Sequence, residues 1–292
     1  MKAYIFPGQG SQFVSMGSDL YHSNSDAKNL FEKANDILNF DICKIMFDGT
    51  IEDLKKTNIT QPAIFIHSTI MVKCMSNFKP DMLAGHSLGE FSALVAGEVL
   101  SFENGLKLVK ERATAMQKAC EETESTMAAI IGLDSQIIEE KCRQQKGTVV
   151  MANYNSPTQL VISGETNVVK KTCQELSTLG AKKTILLPVG GGFHSPMMES
   201  AKKNLKKMIE NTHFKNPICP IYQNVTTDGV VSKEKIQNNL IEQLTAPVKW
   251  YQTIQKMHQD GATTFIEVGP GNVLMGLNKR INRSLNTEKA IV

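Results

Sequence analysis

Aromatic side chains are sparse in this chain, 6% of residues with a single tryptophan, and they are not interleaved with its lysines. The stacking platform of a nucleic-acid binder is therefore missing, and a formal net charge of +3 is too small to argue for a polyanionic partner. No apolar run approaches the length that crosses a bilayer. The opening strand, Ala3 to Phe6, is cut by Pro7-Gly8 too early to be the core of a signal peptide. The six cysteines, Cys43, Cys74, Cys120, Cys142, Cys173 and Cys219, lie far apart and form no C-x-x-C pair. That spacing suggests neither a zinc site nor a disulfide framework and reads as buried or half-buried thiols of a cytoplasmic protein. Internal repeats and low-complexity tracts are absent too, and Gly190-Gly191-Gly192 is the one hinge-like segment.

What the chain does have is Gly85-His86-Ser87-Leu88-Gly89, the G-x-S-x-G spacing that holds a serine on a sharp strand-to-helix turn. Chance alone yields the spacing in roughly one chain in ten of this length, so its neighbours decide what it means. Met82-Leu83-Ala84 is an apolar run entering the turn, and Leu88, Phe91, Val95 and Val99 recur after it at helical offsets. Ser87 thus stands at a β-to-α junction, where unpaired N–H groups and the positive end of the helix face whatever bonds to its hydroxyl. The Leu88 N–H is placed to stabilise a tetrahedral oxyanion. A serine that merely caps the helix is the plain alternative.

With 292 residues and 41% hydrophobic content, the chain can bury a large core. Helix-period segments alternate with short apolar strands through about residue 122, which predicts a parallel α/β core. The rhythm then changes. Strand Met127–Leu133, helix Ser135–Gln144, strands Val149–Asn153 and Gln159–Ser163, helix Val168–Thr178 and strand Lys183–Pro188 give a βαββαβ order resembling a ferredoxin-like unit. The expected division is a catalytic domain of residues 1–124 and 196–292 with a small domain, 125–195, inserted in it.

A serine nucleophile needs a base, and histidine is the usual one. Of six histidines, His86 is expected to pack under the turn, away from the Ser87 hydroxyl, and His22, His67, His213 and His258 read as surface or internally satisfied rings. His194 stands apart between the glycine run and Ser195-Pro196, where a loop turns into a helix. Position alone leaves a catalytic and an ordinary loop histidine equally open.

Six blocks, in order across nearly the whole chain, resemble the malonyl-CoA:acyl carrier protein transacylase family: Phe6 to Gln12, Gly85 to Glu90, Glu111-Arg112 with Met116-Gln117, Asn153 to Pro157, Gly192 to Pro196 and Glu267 to Gly271. The resemblance implies an α/β-hydrolase-like large domain with a parallel sheet and a ferredoxin-like small one. It implies a serine-nucleophile acyltransferase that moves malonyl from malonyl-CoA to the phosphopantetheine thiol of acyl carrier protein by a ping-pong route, supplying fatty acid synthesis. No cofactor or metal is implied, and a monomer is expected. Ser87 would attack the thioester, His194 would take its proton, and the N–H groups of Gln9 and Leu88 would hold the oxyanion. A backbone carbonyl matching Gln243 would orient His194 where a hydrolase uses an aspartate, although Gln243 also reads as an exposed helix-end amide.

Arg112 separates this reading from an esterase. On the helix Phe102–Cys120 it falls at the border of the stripe Phe102, Leu106, Val109, Ala113 and Met116. From there a guanidinium fork suits malonyl's free carboxylate, which an acetyl group lacks. Without the resemblance, a surface pair with Glu111 or Glu121 is the commoner fate. Asn155 is a candidate substrate contact or a plain Asn-Ser-Pro turn, and Phe193 resembles the malonyl-selecting form of its loop. Three glycines before Phe193 depart from the family's frequent alanine and put the loop's rigidity in question. Lys202, Lys203, Lys206 and Lys207 form a basic strip that suits an acidic carrier or coenzyme A phosphates, or is simply solvated. The other readings are a loading transferase of a polyketide-type system, a serine hydrolase on the same elbow and a non-catalytic carrier-binding module.

Overall fold

The computed structural model describes all 292 residues. Its strands are β1 (Lys2–Phe6), β2 (Met82–Gly85), β3 (Ser125–Ile131), β4 (Val149–Ser156), β5 (Gln159–Glu165), β6 (Lys183–Leu186), β7 (Ile221–Tyr222), β8 (Gly229–Val230), β9 (Thr264–Glu267) and β10 (Asn286–Lys289). Six of them form one sheet in the order β10-β9-β1-β2-β7-β8, parallel throughout except for the short edge strand β8. Successive residues of its central strands alternate between two cores. Ala3, Ile5, Met82, Ala84 and Phe265 pack with Trp250, Ile254 and Met257, whereas Tyr4, Phe6, Leu83 and Ile266 join the larger cluster on the opposite face. A parallel sheet covered on both faces requires such two-sided apolar strands.

The other four strands pair in the order β4-β5-β3-β6 with every neighbour antiparallel. Helices Ser135–Arg143 and Thr166–Thr178 cover one face through Ile138, Cys142, Val169, Cys173 and Leu176. The α/β core and the βαββαβ unit of the sequence reading are both present. Its early rhythm is corrected, however. Between β1 and β2 stand five helices, Ser18–Ser23, Ser25–Leu38, Ile42–Asp48, Ile51–Lys55 and Thr57–Cys74, and no strand. The last of these is buried from Ile59 to Val72 on every side, so its apolar residues carry no amphipathic period to mark it as helix. No helix is long and apolar enough to cross a membrane.

Register places the site. Phe6 pairs with Gly85 and Ile5 with Glu267, so the segments leaving β1, β2 and β9 emerge together at the carboxyl edge of the sheet, where open α/β folds bind ligands. Asn153 of the second sheet is bridged to Val248, which closes the two sheets around that edge.

Candidate active site

Ser87 has φ 52°, a left-handed conformation that non-glycine residues rarely hold. The flanking glycines make it attainable: a Cβ on Gly85 would stand 1.9 Å from the Gly89 carbonyl carbon, and one on Gly89 would stand 2.0 Å from the Phe6 carbonyl oxygen. The turn is therefore pressed directly onto the end of β1. Its shape is held by Asn224, whose side-chain oxygen accepts from the Ser87 N–H at 2.7 Å and whose amide donates to the Gly85 carbonyl at 2.7 Å.

The Ser87 hydroxyl lies 2.7 Å from His194 Nε2. On the far side of the ring, His194 Nδ1 faces the carbonyls of Gln243 at 3.0 Å and Ala246 at 3.1 Å. Two carbonyl acceptors keep the proton on Nδ1 and leave Nε2 unprotonated, able to accept from the Ser87 hydroxyl. A serine hydrolase would have a carboxylate there; this site has two main-chain oxygens. His194 is itself left-handed, φ 57°, and buried. Burial, and after it the nearby Arg112 charge, pushes its pKa down to about 3, so the resting imidazole is neutral.

Arg112 is not at the border of its helix, Phe102–Glu122, but fully inside, 1% exposed. Its Nη1 donates to Gln61 Oε1 at 2.5 Å, and its Nη2 donates to the Ser87 hydroxyl at 2.9 Å and to Gln243 Oε1 at 3.2 Å. All three partners are neutral, no carboxylate lies within ion-pair distance, and Nε has no partner. Neither Glu111 nor Glu121 captures it. Burial lowers its pKa to about 10, which leaves it cationic at neutral pH.

A cavity of about 200 Å³ opens on these groups along the seam of the two sheets. Gln9, Leu88, Asn155 and Phe193 all line it. The N–H groups of Gln9 and Leu88 donate to no protein acceptor, as an oxyanion hole requires. His86 also lines the cavity, contrary to the expectation that it packs beneath the turn. Its Nε2 lies 2.8 Å from Asn155 Oδ1, and its ring lies 5.6 Å from that of Trp250.

Other readings change as well. Gln243 is buried, 1% exposed, rather than an exposed helix-end amide. His67 is buried with Nδ1 unpartnered, whereas His22, His213 and His258 are exposed. The triple glycine is anchored rather than loose: the Gly192 N–H donates to Ser125 Oγ at 2.8 Å, and a Cβ on Gly191 would stand 2.1 Å from Cys120 Sγ. In the lysine strip, Lys202 pairs with Glu242 at 2.6 Å while Lys203, Lys206 and Lys207 are exposed.

Sequence reasoning missed Gln61 and Asn224, which the structure brings to Arg112 and to the Ser87 turn. Gln61 carried a signal as a polar residue inside an apolar helical run. Asn224 carried another, since it follows a strand at the carboxyl edge of the sheet.

Residues 3–292 match the acyl transferase domain family. The chain is 40% identical over 290 residues to the malonyl CoA-acyl carrier protein transacylase of Bacillus subtilis, covering 98% of this chain and 92% of that one. Its fold is similar to the solved malonyl CoA-acyl carrier protein transacylase of Coxiella burnetii, with a TM-score of 0.95, 36% identity and 99% and 93% of the two chains covered. It is also similar to a malonyl-transacylase solved in complex with a type II polyketide acyl-carrier protein, with a TM-score of 0.94, 36% identity and 100% and 95% covered.

Proposed function

The chain belongs to the malonyl-CoA:acyl carrier protein transacylases of the acyl transferase family, and from that premise we propose how its residues carry malonyl from coenzyme A to a carrier thiol. The Ser87 hydroxyl attacks the thioester carbonyl as His194 Nε2 takes its proton, and the N–H groups of Gln9 and Leu88 receive the oxyanion. Collapse expels the coenzyme A thiolate, which recovers the proton from His194. The phosphopantetheine thiol of acyl carrier protein then enters, loses its proton to the same nitrogen and attacks the malonyl-serine, and Ser87 is reprotonated. Every group named belongs to one chain, so a monomer suffices. The malonyl-carrier product suits chain extension in fatty acid synthesis.

The observation that carries the malonyl assignment is Arg112, a buried cation beside the nucleophile whose hydrogen-bond partners are all neutral. Malonyl's free carboxylate would be its first anionic contact. Arg112→Ala is therefore expected to lower kcat/KM for malonyl-CoA by on the order of ten- to a hundredfold or more, from roughly 1.5–3 kcal/mol per charged hydrogen bond. Acetyl-CoA, which makes no such bond, should hold steady or gain. Equal losses with the two donors would show that the carboxylate is held elsewhere.

A further inference from the structure

Glu90 lies in the first turn of the helix Gly89–Ala96 and is fully buried, yet no step above uses it. Three N–H donors converge on its carboxylate: Gln223 Nε2 at 3.0 Å, the Asn224 main chain at 2.9 Å and Gln243 Nε2 at 2.9 Å. Two of these residues hold the reactive pair. Asn224 grips both sides of the nucleophile turn. The Gln243 main chain holds His194 Nδ1, while its side-chain amide donates to the Ser87 carbonyl at 2.9 Å.

A carboxylate only accepts, so the Gln243 NH2 must point toward Glu90 and Ser87, and its carbonyl oxygen must then face Arg112. One buried acid thereby sets the Gln243 side chain, the nucleophile turn and the acceptor offered to the guanidinium. It is also a negative charge acting on Arg112. A buried carboxylate with three donors and no lysine or arginine in contact is expensive unless the site uses it.

We propose that Glu90 is the positioning residue that does at one remove what a triad aspartate does by contact. Through Gln243 and Asn224 it fixes Ser87 and His194 in line, holding the turn of the one and the main-chain acceptor of the other. The inference rests on the acyl-transfer reading of the Ser87–His194 pair, and it adds an acid to a site that has none against the imidazole. Burial pushes the Glu90 carboxyl up from its ordinary value, while the three donors oppose that shift and favour the ionised form.

The test is the rate at which an uncharged fluorophosphonate labels Ser87, with folding followed by circular dichroism and thermal melting. Labelling needs no acyl-CoA, so it reads this inference separately from the malonyl assignment. Glu90→Gln keeps the shape but turns an amide against the donors, and a slowing of about ten- to a hundredfold is expected. Glu90→Asp keeps the charge at a shorter reach and should recover at least part of that loss, although it leaves the larger void. A purely structural role would rank the two the other way, so labelling of folded Glu90→Gln at or above the Glu90→Asp rate overturns the proposal. Should Glu90→Gln fail to fold, Gln243→Leu cuts the link while leaving the Gln243 carbonyl on His194. It should slow labelling at least tenfold, and a wild-type rate there would equally overturn the proposal.

Discussion

His194, the base of the proposed mechanism, shows what burial does to an imidazole. The imidazole works only when neutral, and its unperturbed pKa near 6.5 would place the acid limb of the reaction there. Burial first and the Arg112 charge second carry it down to about 3. The His194 ring should therefore add no acid limb to kcat/KM for malonyl-CoA between pH 8 and about 5. A limb centred near 6.5 that persists in Glu90→Gln, which removes the other buried group titrating beside the site, would contradict the burial that the structure assigns to the ring. Binding changes the second cause: a malonyl carboxylate against Arg112 offsets the guanidinium, and a nearby anion favours imidazolium. The acid limb of kcat, which reports the substrate complex, should then lie at higher pH than that of kcat/KM.

Among the elements, the helix Thr57–Cys74 departs furthest from the sequence reading. It presents Gln61 to Arg112 and buries His67 behind the catalytic edge. Burial, and after it the Lys289 charge, pushes His67 down to about 4, against about 6.5 in an unfolded chain. Between those values the unfolded chain binds a proton that the folded one refuses, so stability falls as pH drops through that window. The contribution is about 1.4 kcal/mol per pH unit for this one ring. His67→Gln, similar in size and unable to titrate there, should flatten the slope of unfolding free energy against pH by about that amount. Urea titrations between pH 6 and 4.5 would check it, and equal slopes would contradict it. Glu90 and Glu267, whose carboxyls burial pushes up, act in the opposite sense in both proteins and cancel from the comparison.

At the scale of the whole molecule, the site is a seam closed by distant parts of the chain. What was legible in the sequence was local. Gly85 and Gly89 are dictated by a turn that admits no Cβ, and His194 stands beside a glycine run whose packing on Cys120 and Ser125 sequence could not show. The strands of the second sheet were legible through their apolar runs and turns. The partners that complete the site lie far away in sequence: Asn224 reaches the Ser87 N–H across 137 positions and Gln243 the Ser87 carbonyl across 156. No periodicity encodes such contacts. Arg112 was legible as a residue but not as a buried one, because its burial depends on Gln61, Ser87 and Gln243 arriving from three other segments.

The central claim is that Ser87 carries malonyl between two thiols, and intact mass reads it directly. The protein is mixed with malonyl-CoA, desalted and then given acyl carrier protein bearing phosphopantetheine. One malonyl adduct is expected on the wild type and none on Ser87→Ala, and that adduct should leave the enzyme as the carrier gains the same mass. An adduct that persists in Ser87→Ala, or one released only as free malonate while the carrier stays unmodified, would contradict the account.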